Sequence, residues 1–158
     1  MRKLASARRT TGIKIGRATT GPEILRVHPV MRELRLHHTD ERAFVRQVQK
    51  QMREGFRLVY LESDGEVRAA AGYRILEMLF SGRTLYVDDL VTREADRSKG
   101  FGGKLFDWLV EEARREGCKT FSLDSGVQRH DAHHFYLMKR MKIDSHHFSL
   151  KLDEPTDA

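Results

Sequence analysis

Three groups of residues have types and spacings that could do chemistry. The first is Arg97-Ser98-Lys99-Gly100-Phe101-Gly102-Gly103-Lys104, rich in glycine and base. If it opens a helix, unpaired backbone N–H groups and a partial positive charge gather there. Glycines let that backbone approach an anion closely, and the basic side chains add formal charge. A phosphate or pyrophosphate is the natural guest, and a plain tight turn is the competing reading. The phosphate-loop pattern Gly-x-x-x-x-Gly-Lys-Ser/Thr is absent, and only Gly100-x-Gly102 of a dinucleotide fingerprint is present. The second group is the acid pair Asp88-Asp89, in the middle of an apolar run. A carboxylate there is costly unless exposed or paired, which suits a base or a contact to a cationic ligand. Adjacent strand residues face opposite sides, so one of the two should enter a cleft unless a bulge intervenes. The third is Tyr136, a phenol able to donate a proton, read equally as a packing residue on an amphipathic helix.

Other residues are weaker signals. Asp124, in Asp124-Ser125-Gly126, ends a short strand, where it can attract a cationic ligand or cap a turn. Eight histidines include the pairs 37–38, 133–134 and 146–147. His130, Asp131, His134 and His146 or His147 can be drawn as zinc ligands, but no HExxH spacing supports it, and the metal reading is set aside for surface histidines. His130 or His133, near Tyr136, could line a ligand cleft or exchange a proton there. Cys118, the single cysteine, reads as a buried small hydrophobe rather than a nucleophile.

These residues need elements to hold them. After Gly21-Pro22, the branched run Ile24–Val27 reads as a first strand and Pro29 as the first turn of a helix through Met31 and Leu34. Thr39 or Asp40 caps a second helix whose Phe44, Val45, Val48 and Met52 share a face, and Gly55 stops it. The period then becomes two. Phe56–Leu61 and Val67–Leu76 form a hairpin about Asp64-Gly65, and Thr84–Thr92 follows as a third strand. A helix from the glycine loop to Glu116 carries the stripe Leu105, Phe106, Leu109, Val110 and Ala113. Thr120–Leu123 is a strand, Asp131 to Arg140 a helix, and Ile143–Leu152 a strand that closes the sheet. The order predicts an α/β fold: a mixed, mostly antiparallel central sheet with one parallel β-α-β crossover and helices on both faces.

Composition agrees. The chain's 158 residues, 39% hydrophobic and 33% charged, fit one domain with a core. No apolar run is long enough to span a membrane. The net charge of +6 resides in residues 1–20, where Arg2, Lys3, Arg8, Arg9, Lys14 and Arg17 meet no acid; the remaining 23 basic residues balance 23 acidic ones. Nucleic-acid binding is therefore expected at most weakly, through the tail. No apolar stretch follows those charges as a secretory leader requires. The expected organisation is a flexible basic tail at 1–22, one domain at 23–153 and a polar tail at 154–158. One cysteine and no membrane span suit a cytoplasmic setting.

The loop resembles the Arg/Gln-x-x-Gly-x-Gly/Ala signature of the GNAT superfamily, the general N-acetyltransferases. Tyr86–Thr92 is similar to that family's fourth strand, and His134-Phe135-Tyr136-Leu137 to the Phe-Tyr pair of its last helix. The element order matches from Ile24 to Leu152. The resemblance implies an acetyltransferase fold, acetyl-coenzyme A as co-substrate, and a primary amine on a small molecule or peptide as acceptor, attacking directly in a ternary complex. It also implies that homodimers are common. It assigns the pyrophosphate to Arg97, Ser98, Lys99, Gly100, Phe101, Gly102, Gly103 and Lys104, and the pantetheine arm to the backbone of Leu90, Val91 and Thr92. A bulge would splay this strand, with a backbone N–H near Leu90 facing the thioester carbonyl. Tyr136 would protonate the leaving thiolate. Val87-Asp88-Asp89-Leu90 is similar to an acid pair in polyamine acetyltransferases, which favours Asp88 as base and leaves Asp89 as substrate contact or ion-pair partner. The resemblance assigns no role to Asp124 or His133; their positions alone make them candidate substrate contacts, beside the readings of a turn cap and a surface histidine. An asparagine after the fifth strand and a Gly-aromatic pair after the last helix are absent. A catalytically idle acyl-coenzyme A sensor is the alternative reading; Asp88, Asp89 and Tyr136 argue against it.

Overall fold

The computed structural model describes residues 12–153. Residues 1–11 of the expected basic tail and the polar tail at 154–158 lie outside the described residues. The chain divides after Leu123 into two compact units. The first contains strands β1 (Lys14–Ala18), β2 (Arg57–Ser63), β3 (Glu66–Met78), β4 (Gly82–Thr92) and β5 (Thr120–Leu123), and helices α1 (Gly21–Leu34), α2 (Glu41–Arg53) and α3 (Phe101–Arg115). The second contains α4 (His130–Met138).

The five strands lie in the order β1-β2-β3-β4-β5. The first four pair antiparallel, and β4 pairs parallel with β5 across the α3 crossover, as the sequence pattern requires. Asp64 and Gly65 both take positive φ at the β2–β3 turn, the geometry that matches strand twist in a two-residue hairpin. Alternation along β2 divides the core. Leu58 and Tyr60 pack with Ile24, Val27, Met31, Phe44 and Val48 of α1 and α2, while Val59 and Leu61 pack with Leu105, Leu109 and Ala113 of α3. Leu105 and Leu109 are fully buried, each contributing roughly 1.5–3 kcal/mol. Helices thus cover both faces of the sheet.

The ends of the chain correct the sequence reading. Ile24–Val27 is not a strand; it lies inside α1. Thr20 and Glu23 form a reciprocal capping box, Pro22 sits in the first turn, and Ile24, Val27, Val30 and Met31 make a buried helical stripe. Pro29 lies within this helix rather than at its start. The first strand is instead β1, inside the segment expected to be a tail, with Lys14 opposite Glu62 and Ala18 opposite Leu58. Residues 143–152 form no strand: Ile143, Phe148, Leu150 and Leu152 alternate loosely but stand exposed. Asp40, of the two proposed residues, caps α2 through Ala43 N–H at 2.8 Å. Among the described residues, no helix is long and apolar enough to cross a membrane.

Candidate active site

The site begins with a register shift. Gly72 of β3 faces Asp89 of β4, and the next residue, Tyr73, faces Val87. Asp88 is therefore the extra residue of a β-bulge, which bends a strand and re-aims its side chains. The β4–β5 ladder also stops here, at Val87 opposite Leu123. Beyond it β3 continues to pair with β4 as far as Thr92. One edge of Asp88–Thr92 thus has no strand partner among the described residues. An extended ligand could add to that edge by backbone hydrogen bonds.

The bulge also removes the alternation that would send Asp88 and Asp89 to opposite faces. Both line one cavity of about 440 Å³, together with Tyr86, Phe56, Leu58, and residues of α1, α2 and their connection. Its polar wall includes Arg35, His37, His38, Gln47 and Gln51; its apolar wall includes Met31, Phe44 and Val48. Residues 44, 47, 48 and 51 reach it together because they share one side of α2.

Each acid has an arginine. Arg74 Nε donates to Asp88 Oδ2 at 2.8 Å, and Arg35 Nε donates to Asp89 Oδ1 at 2.6 Å. Arg35 Nη2 also donates to the Asp88 backbone carbonyl at 3.1 Å. Asp88 Oδ1 is buried and has no hydrogen-bond partner. Burial pushes the Asp88 carboxyl above the usual range, more than Arg74 pulls it down. Burial, then neighbouring His37, push His38 below the ordinary imidazole value. His28, buried beneath, donates from Nε2 to the His38 carbonyl at 2.8 Å. Asp88 thus has an unfilled acceptor and a weakened hold on its charge, properties that suit a group exchanging a proton with a ligand.

The glycine loop lies further along the same strand. A short 3-10 turn, Glu94–Asp96, precedes it. Asp96 is buried and gripped by Arg93, Lys99 and Arg68, with Arg93 first in holding its carboxyl down at about 2. Ser98 and Gly100 take positive φ, and Gly100 starts α3 without a side-chain cap or an acid in the first turn. A Cβ on Gly102 would stand 2.6 Å from Thr92 Oγ1, so glycine lets the helix start lie close to β4 without displacing that hydroxyl. Lys104 and Arg97 are exposed at the loop.

Tyr136, Asp124 and His133 belong to the second unit. Tyr136 lies on α4, where burial pushes its phenol upward, so it stays protonated at neutral pH. His133 donates from Nε2 to the Gly126 carbonyl at 2.8 Å, and Asp124 faces His147 at 3.5 Å. These partners show His133 and Asp124 in local contacts. Among the described residues, no three His, Cys, Asp or Glu side chains are grouped to hold a metal ion.

Sequence reasoning missed Arg35, His37, His38, Gln47 and Gln51. The pair 37–38 reads from sequence as surface histidine; the α1–α2 connection carries it onto the cavity wall. Arg74, on β3 just past the bulge, is missed as well. None carries a spacing motif, and only the antiparallel register brings residue 74 to residue 88.

The model of the acetyltransferase (GNAT) family matches residues 26–141. An uncharacterized N-acetyltransferase of Bacillus subtilis, YhdJ, is 35% identical over 127 residues, 80% of this chain and 89% of that protein. An aminoalkylphosphonate N-acetyltransferase of Salmonella typhimurium is 33% identical over 66 residues, 42% of this chain and 43% of that protein. The structure of AAC(6')-Iy, in complex with a bisubstrate analog CoA-S-monomethyl-acetylneamine, shares the fold. It has a TM-score of 0.74 at 11% identity, over 89% of this chain and 98% of that one.

Proposed function

Because this chain belongs to the acetyltransferase (GNAT) family, and so is an enzyme of acetyl transfer, we propose that it moves acetyl from acetyl-coenzyme A to a primary amine held against Asp88. The observation that carries the reading is the bulge. One extra residue ends the β4–β5 ladder and turns both acids into the same cavity.

The chain's residues fit the co-substrate. The uncapped start of α3, the positive-φ residues Ser98 and Gly100, and the crowding of Gly102 on Thr92 make a close-approach cradle for a pyrophosphate. The strand edge at Leu90, Val91 and Thr92 offers backbone groups to a pantetheine arm. When bound, acetyl-coenzyme A supplies the activated acyl thioester. Asp88 takes the proton of the acceptor ammonium, directly or through water. Asp89, held by Arg35, fixes the cavity wall. A backbone N–H near Leu90 faces the carbonyl oxygen as charge develops on it. Tyr136 gives a proton to the departing thiolate. Holding amine and thioester in one wedge provides the proximity that direct attack needs. The setting is read as cytoplasmic, consistent with the free thiol of Cys118.

The test is calorimetric titration with acetyl-coenzyme A, using dephospho-coenzyme A and NAD as comparators. Micromolar binding, abolished by Gly102→Glu, is expected. Tyr136→Phe should then keep binding while slowing acetylation in a screen of amines. A folded chain that does not bind acetyl-coenzyme A would overturn the reading. Binding with no amine acetylated would favour the sensor.

A further inference from the structure

The cavity's charges are already balanced. Asp88 is matched by Arg74 and Asp89 by Arg35, so two acids meet two guanidiniums. The acid pair alone suggests a cationic acceptor. With both acids paired, a polycation finds no surplus negative charge there. What the cavity lacks is more specific. Asp88 Oδ1 is buried with no hydrogen-bond partner, so the acid retains one acceptor to be filled. Arg35 has the opposite surplus. A guanidinium carries five N–H donors, and Arg35 spends one on Asp89 and one on the Asp88 carbonyl. Its side chain is 44% exposed while that of Asp89 is 14% exposed, and it lines the cavity.

We propose that the acceptor is a compact zwitterion, a primary amine joined by a short spacer to an oxyanion. Its ammonium fills the vacant acceptor of Asp88, and its carboxylate or phosphonate group takes the spare donors of Arg35. This rests on the acetyl-transfer reading and names the acceptor class for the same site. The spacer must be short because Arg35 touches the peptide of Asp88 itself, at 3.1 Å. Phe44, Phe56 and Leu58 give the spacer an apolar wall, and Gln47, Gln51 and His37 add polar groups to the lining of the same cavity. A guanidinium fork matches an oxyanion in two parallel hydrogen bonds, which a lysine would not do. A ligand of zero net charge also leaves the two internal ion pairs undisturbed.

The test is steady-state kinetics of the full chain with acetyl-coenzyme A and four amines: β-alanine, 2-aminoethylphosphonate, butylamine and 1,4-diaminobutane. At least one zwitterion should exceed both butylamine and the diamine in kcat/KM by about tenfold or more. The two zwitterions distinguish a carboxylate from a phosphonate. Arg35→Gln should lower the preferred zwitterion by about tenfold, mainly through KM, and raise the diamine relative to it, because Asp89 is then unmatched. Arg35→Lys should restore part of the loss. Preference of the natural chain for butylamine or the diamine would overturn the proposal, as would an equal loss on all four amines in Arg35→Gln. Turnover of none of the four by a chain that binds acetyl-coenzyme A would overturn it too. Calorimetry with acetyl-coenzyme A separates the cases: failure to bind sinks acetyl transfer itself, whereas binding with the wrong preference sinks only the zwitterion.

Discussion

Gly72 stands opposite Asp89 at the bulge, and a Cβ on Gly72 would lie 3.1 Å from Asp89 Oδ2 and 2.2 Å from Phe56 Cζ. The absent side chain is thus part of the site: Phe56 folds over the Gly72 backbone and brings its ring to the cavity that Asp88 and Asp89 also line. Gly72→Ala must push a rigid ring aside or shift the bulge. It should cost about 1–3 kcal/mol of stability, the usual scale of overpacking. Activity should fall further than stability explains, because the displaced ring and carboxylate both line the cavity. Denaturant unfolding and kcat measured on the same sample check this; an unchanged kcat would mean that the bulge does not set the geometry of catalysis.

Asp88 and Asp89 should separate by pH dependence. A base works when deprotonated, so kcat/KM should rise with pH as Asp88 loses its proton, with a midpoint above the ordinary carboxylate value because burial raises it. Asp88→Asn should remove this acidic limb and lower kcat by about 10²-fold or more. Asp89→Asn should leave the limb in place and act mainly on KM, through release of Arg35. The same shift has a consequence for stability. A carboxyl with a raised folded pKa binds its proton more tightly when folded, so its contribution favours folding at low pH and is lost as pH rises through the folded pKa. Asp88→Asn should therefore melt no lower than the natural chain at neutral pH, although it is nearly inactive. A pH–rate series and thermal melts of the two variants decide the matter.

The middle of the fold was legible because its signals are local. Asp64-Gly65 fixes a hairpin, Asp40 and Gly55 bound α2, and the stripe Leu105, Phe106 and Leu109 defines α3. The ends were misread for opposite reasons. Ile24–Val27 has β-branched residues that favour a strand, but the capping box of Thr20 and Glu23 starts a helix whose apolar stripe continues to Met31. β1 is short, basic and at the sheet edge, so Lys14 and Arg17 look like a tail until Glu62 and Glu112 are placed beside them. Residues 143–152 alternate enough to suggest a strand, yet alternation cannot supply a partner. Within the candidate site, Asp88 and the glycine loop stand out as candidates because their residue types sit in contiguous sequence. The arginines that neutralise the acids were not, since Arg35 and Arg74 reach them over 54 and 14 residues of chain.

Acid should weaken the fold through two carboxylates in particular. Hydrogen bonds from the Thr19 and Thr20 backbone hold Glu23 at about 2, and Arg93, followed by Lys99, holds Asp96 at about 2. Both folded values lie below the unfolded ones. Their contribution is therefore complete above the unfolded carboxylate pKa, near pH 4, and is lost as pH falls toward 2. Glu23→Gln and Asp96→Asn should each lower the melting temperature at neutral pH and flatten its decline in acid. Asp96→Asn should also loosen the turn before the glycine loop, which calorimetry with acetyl-coenzyme A would register as weaker binding. A melting curve in acid as steep as that of the natural chain in both variants would mean that other groups control acid unfolding.

Glu112 joins three strands to α3. Its buried carboxylate meets Arg17 of β1, lies 3.8 Å from Arg57 of β2, and accepts from Tyr73 Oη of β3 at 3.2 Å and from Arg115 Nη2 at 2.8 Å. Burial and then the Glu112 charge raise the Tyr73 phenol, so Tyr73 acts here as a donor. Glu112→Ala leaves that buried hydroxyl without its acceptor and should cost about 1–3 kcal/mol. The arginines lose less, because Arg17 and Arg115 are half-exposed and can return to water. Glu112→Gln keeps an oxygen for Tyr73 and should be milder than Glu112→Ala, while Arg17→Ala should be milder still. Equal losses for Glu112→Gln and Glu112→Ala would show that charge, rather than the tyrosine's hydrogen bond, holds α3 against the sheet. Equilibrium unfolding of the three variants gives the order directly.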